Sequence, residues 1–145
     1  MKTAQFLKQL DHDRIVAAIR EAEGRSRGEV RVHVSNQPGE DVQKAAAAQF
    51  ERLGMTATAL RNGVLIYVAP PAQQFAVIGD LAIHERCGGG FWGAVAQAME
   101  EDFRAGRFTD GIVKGVTRAG EALATHFPRL DQADVNELAD QVSED

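Results

Sequence analysis

Two apolar runs, 64-VLIYVA-69 and 74-QFAVIG-79, are separated by only PPAQ, and this spacing constrains the fold more than any other feature of the chain. Runs of this length, rich in β-branched and aromatic residues and bounded by turn residues, read as strands. Pro70-Pro71 ends the first, because proline cannot donate to a strand ladder. So short a gap implies an antiparallel hairpin. With the hairpin centred near residues 71–72, Asp80 falls opposite Gly63, so Arg61, Asn62 and Asp80 meet at one end of the sheet.

The surrounding segments supply the other layers. Residues 29-EVRVHVS-35 alternate strictly, with Val30, Val32 and Val34 on one side and Glu29, Arg31, His33 and Ser35 on the other, the pattern of a half-buried strand. Residues 11–23 read as a helix capped by Asp11, with Ile15, Ile19 and Ala22 on one face and Gly24 at its end. The segment DVQKAAAAQFERLG is a second helix, with Val42, Ala46, Phe50 and Leu53 on its stripe. Residues 55–63 read as a loop. After the hairpin, Trp92, Val95, Ala96, Met99 and Phe103 mark a helix over 91–105. Thr109 is positioned to cap a last helix that carries Ile112, Val116, Ala119 and Leu123 and ends at Phe127-Pro128. The order helix–strand–helix–strand–strand–helix–helix predicts a small layered α/β domain with a mixed sheet.

A chain of 145 residues is one domain's worth and can bury a core without staples. The division expected is a single α/β domain over 1–130 and an acidic tail over 131–145, which adds a short helix through Val135, Leu138 and Val142. The last fifteen residues hold six acids and no base, and the body without them is close to neutral. No basic stripe points to nucleic acid as a partner. The tail itself could dock on a basic protein partner. No apolar stretch approaches the length of a membrane span, and the start lacks an apolar run of signal-peptide length. One cysteine allows no internal disulfide, so a cytoplasmic location is expected.

The stretch 78-IGDLAIHERCGGGFWG-93 gathers an aspartate, a histidine, a glutamate and the only cysteine. Several chemistries can be tested against it. A cysteine-phosphatase loop needs arginine six positions after the cysteine, and that position is Gly93. Asp11-His12-Asp13 superficially matches an aspartyl-phosphatase start, but Ile15 breaks the motif and a helix cap explains it. No phosphate-cradling glycine loop follows a strand. His84 and Cys87 stand at a spacing zinc could use, yet a structural site needs four ligands and there is no second cysteine. Oxygen-ligand cations fit better: Ca²⁺ or Mg²⁺ could take Asp80, Glu85 and Asn62 near one sheet end, with Asp102 a remoter fourth ligand. The plainer expectation is a strand-to-helix turn, with Cys87-Gly88-Gly89-Gly90 as connector and His84 on the surface.

The run RNGVLIYVAP…QFAVIGD…FW…M…FRAGRFTDGIVKGVTRAGEALATHFP resembles the TPM domain family, whose members include a thylakoid-lumen protein, a photosystem II repair protein and a nematode receptor modulator. The most specific pieces are Asn62-Gly63-Val64-Leu65 and Phe103-Arg104-Ala105-Gly106 with Phe108 and Gly111. The resemblance implies a three-layer α/β/α sandwich. It also brings the label phosphatase from some plant members and calcium binding from others. Where such members carry Gly-Tyr-Gly, a Glu and then an Asp, this chain has Gly79-Asp80-Leu81, Ile83 and Gly88. The pattern IGDxxIHE…FW with an acidic DVNEL tail looks like a soluble bacterial branch.

Two functions follow as expectations. One is a binding or adaptor module, divalent-metal dependent or not, that works through protein contacts. The other is a metal-dependent phosphoric ester hydrolase. There a cation near Asp80 and Glu85 would activate water, Arg61 or Arg86 would hold the phosphate, and His84 would be the general acid.

Overall fold

The computed structural model describes residues 1–36, 41–129 and 142–145. Its elements run α1 (Thr3–Lys8), α2 (His12–Gly24), β1 (Glu29–Val34), α3 (Val42–Arg52), β2 (Gly63–Ala69), β3 (Gln74–Gly79), α4 (Leu81–Cys87), α5 (Gly89–Arg104), α6 (Phe108–His126) and β4 (Val142–Glu144). The sheet order is β3-β2-β1-β4. β1 pairs parallel with β2 and with β4, while β2 and β3 form the antiparallel hairpin. Val64 pairs with Gly79, and the Asp80 N–H donates to the Gly63 carbonyl at 2.9 Å. The register is therefore the one that a hairpin centred on residues 71–72 predicts.

The sheet is covered on both faces, giving an α/β/α sandwich. On one face Val30, Val32, Val34, Val64, Ile66, Val68 and Val77 pack against Ile15 and Ile19 of α2, Val95 and Met99 of α5, and Ile112, Val116 and Leu123 of α6. On the other, Leu65, Tyr67, Ala69 and Ala76 meet Ala46 and Phe50 of α3 and the buried Met55. This second layer changes the expectation for β1. Its polar side does not face water: Glu29 is 4% exposed and His33 2%. Strands in a parallel sheet with both faces covered lose the alternation in burial that their sequence shows.

Other departures are local. Asp11 caps α2 as expected, accepting from the Arg14 N–H at 3.1 Å, but the helix includes Gly24 and closes at Arg25. Residues Met55–Ala57, inside the expected loop, form a 3-10 turn. Thr109 does not cap α6, which begins one residue earlier; its hydroxyl instead accepts from the Asp11 N–H at 3.0 Å and ties α6 to the start of α2. A short helix, α1, precedes the expected elements and buries Phe6. Val142, expected in a helix, is in strand β4 beside Val32, and Val135 and Leu138 lie outside the described residues.

Candidate functional site

The amino end of β2 is where the sequence places its cluster, and the structure brings three of those residues together. Arg61 sits in the left-handed region at φ 50°, a conformation that costs a non-glycine residue about 1 kcal/mol or more. That backbone turn lets the Arg61 carbonyl accept from the Ala82 N–H at 3.0 Å. The guanidinium grips Asp80 with two bonds, Nε to Oδ2 at 2.7 Å and Nη2 to Oδ1 at 2.9 Å. Asp80 is also the N-cap of α4, its Oδ1 accepting from the Leu81 N–H at 2.7 Å. Both carboxylate oxygens are thus occupied. The bond to Asp80, then its charge, raises the Arg61 pKa above its ordinary value. Asn62, 1% exposed, donates to the Arg27 carbonyl at 3.2 Å.

The other candidates lie elsewhere. His84 and Glu85 are exposed on α4. The expected turn and the connector over 87–90 are not what forms: residues Leu81–Cys87 are helix α4, Gly89 and Gly90 already belong to α5, and Gly88 alone, at φ 78°, is the sharp joint between the two helices. Burial raises the Cys87 thiol pKa. Asp102 stands near the far end of α5, about 20 Å along its axis from the glycine joint. Its Oδ1 accepts from Arg107 Nη2 at 2.9 Å, and Lys114 Nζ lies 2.8 Å from Oδ2. The hydrogen bonds from Lys114 and Arg107 hold its pKa below the ordinary aspartate value. Among the described residues no group of three or more His, Cys, Asp or Glu side chains converges as a metal would need.

Concave surface lies at the opposite end, where the parallel strands finish. Phe6, Val68, Pro70, Phe75, Phe103 and Phe108 line a hollow of about 500 Å³ rimmed by Gln73, Glu100 and Arg104. Phe75 meets Phe103 edge-on with centroids 4.9 Å apart, and Phe108 tilts between Phe6 and Phe103. A shallower groove of about 370 Å³ continues from it past Gln74 between Val42 of α3 and Gly93, Ala96 and Gln97 of α5. In open α/β sheets, ligands usually bind beyond the carboxyl ends of the strands. Sequence reasoning missed this hollow. Its phenylalanines come from α1, β3, α5 and α6, and each reads locally as core.

At the other edge of the sheet, β4 is fastened to β1. His33 stacks on Tyr67 and its Nε2 lies 2.7 Å from Asp145 Oδ1, while Nδ1 lies 2.8 Å from Ser143 Oγ. The Ser35 hydroxyl and the Asn36 N–H donate to Asp145 Oδ2, each at 2.6 Å. Burial alone would raise the Asp145 pKa; the bonds from Ser35, His33 and Asn36 outweigh it and leave the carboxyl below its ordinary value.

Comparison with known proteins agrees with this architecture. The family model of the TPM domain matches residues 1–122. The NMR structure of the BA42 protein from the psychrophilic bacterium Bizionia argentinensis is 39% identical, with a TM-score of 0.84 and 92% of each chain covered. The N-terminal domain of the cg2496 protein from Corynebacterium glutamicum shares the fold at 13% identity, with a TM-score of 0.61 over 86% of this chain and 77% of that one. No protein of curated function matches the sequence.

Proposed function

The chain belongs to the TPM domain family, and we propose that it is a binding or adaptor module working through protein contacts. The observation that carries this reading is the way its acids are used. Asp80 is fully engaged by Arg61 and the start of α4, and Asp102 by Arg107 and Lys114. The open concavity is lined by phenylalanine. Apolar hollows with a few polar groups at the rim are binding surfaces. A divalent cation, Ca²⁺ or Mg²⁺, would then support the fold or a contact rather than a reaction. The acidic tail is a further contact for a basic partner, and a cytoplasmic setting suits the lone cysteine. Among the described residues no helix is long and apolar enough to cross a membrane.

A second reading is a metal-dependent phosphatase. It draws on Arg61 and Asp80 at one sheet end with His84 and Glu85 on the adjoining helix. Melting chelator-stripped protein with and without millimolar Ca²⁺, Mg²⁺ or Mn²⁺ separates the two. An ion held at about 100 times its dissociation constant adds about 2.7 kcal/mol of stability. A binding module whose Asp80 serves the fold gives the same ion response in wild type and in Asp80→Asn. An ion-induced rise present in wild type and lost in Asp80→Asn would favour the phosphatase.

A further inference from the structure

Among the described residues, one edge of the sheet is left unpaired. β3 is its outer strand, and the Asp80 N–H points inward to the Gly63 carbonyl. Backbone direction alternates along an antiparallel pair, so Ile78, Ala76 and Gln74 also face β2. Phe75, Val77 and Gly79 turn their N–H and C=O groups outward. No described residue bonds these outward groups. Natural sheets blunt such edges with charge, proline or a bulge. The segment QFAVIG has no charged residue and no proline, and its pairing with β2 runs without a bulge from Gln74 to Gly79.

We propose that this edge receives an extended segment of a partner protein, which adds to β3 as a fifth strand. This deepens the binding-module reading and rests on it. The surroundings favour a single extended chain. The start of β3, at Gln74 and Phe75, lies between Val42 of α3 and Gly93, Ala96, Gln97 and Glu100 of α5, and a second copy would bring the same two walls against these. A lone strand fits between them. Room for its side chains is built in on the α5 side: a Cβ added at Gly93 would meet nothing within 4 Å, and Ala96 is the next small residue along the groove. The groove opens at Gln74 and Phe75 into the phenylalanine hollow. The partner is therefore an extended peptide with apolar residues at alternate positions, one of which drops beside Phe75 and Phe103. Main-chain bonds to the edge give affinity, and the hollow gives selectivity.

The test uses the full chain and a displayed library of random linear peptides, followed by amide exchange on a synthetic copy of the most enriched peptide in complex. Free protein is expected to exchange quickly at Phe75, Val77 and Gly79. The complex is expected to slow those three amides about tenfold or more, leaving Ala76 and Ile78, already bonded to β2, unchanged. Gly93→Lys, which fills open space on an exposed helix face, is expected to melt no lower than wild type and to weaken binding about tenfold or more. Amides already protected in the free chain would overturn the proposal, as would the absence of any enriched peptide. Protection that grows with protein concentration and needs no peptide would assign the edge to a second copy instead. Peptides that bind while leaving the three amides fast would sink the strand edge yet leave the binding module standing.

Discussion

At the scale of single residues, Asp80 joins two devices that are usually separate, a helix cap and a buried end of an ion pair. Its side chain is 5% exposed while Arg61 is 42% exposed. Asp80→Ala is expected to lose about 1–2 kcal/mol from the cap alone, and to leave Arg61 in a left-handed turn without its partner. Asp80→Asn, which can still cap, should be milder; urea unfolding of both variants measures the difference. Asp102 makes a pH prediction. Its folded pKa is depressed by Lys114 and Arg107, so the native state holds that proton less tightly than the unfolded chain. The stability this contributes is present above the ordinary aspartate range and is lost as pH falls through the folded value. Asp102→Asn should therefore narrow the gap between unfolding free energies measured at about pH 7 and about pH 3.

Among the elements, two helical glycines are expected to respond with opposite sign. A Cβ on Gly120 of α6 would stand 2.6 Å from Ala22 Cβ and 3.0 Å from its Cα. Neither atom can swing away, so Gly120→Ala should force α2 from α6 and cost about 1–3 kcal/mol. Gly93 lies within α5 with open space around it, so Gly93→Ala should stabilise by about 0.5–1 kcal/mol through helix propensity. Thermal unfolding of the pair checks both signs. Element-level reading from sequence works where local chemistry decides. Two prolines and a four-residue gap specify the hairpin and its register, and with them the meeting of Arg61 and Asp80. It fails where the deciding partner is distant in sequence. His33 reads as solvent-facing because Tyr67, Ser143 and Asp145 come from other strands. Thr109 reads as a cap because its real partner, the Asp11 N–H, belongs to another helix. The phenylalanine hollow was illegible for the same reason, since four elements must converge before it exists.

For the whole molecule, the two sheet ends divide the labour. The end marked by Gly63 and Asp80 is closed by an arginine and a helix cap, while the end marked by Ala69 and Gln74 opens into the hollow and the strand-edge groove. The residues that read as reactive from sequence thus stand apart from the concave surface. The central claim is that binding, rather than ester hydrolysis, is what this arrangement serves. Hydrolysis of a generic aryl phosphate, followed with Ca²⁺, Mg²⁺ and Mn²⁺ in turn, tests it most directly when wild type is compared with His84→Ala. His84 is exposed, so that variant should melt as wild type does. A binding module gives no turnover that depends on His84. Turnover abolished in His84→Ala, with the melting midpoint unchanged, would contradict the claim and make the Arg61–Asp80 end an active site.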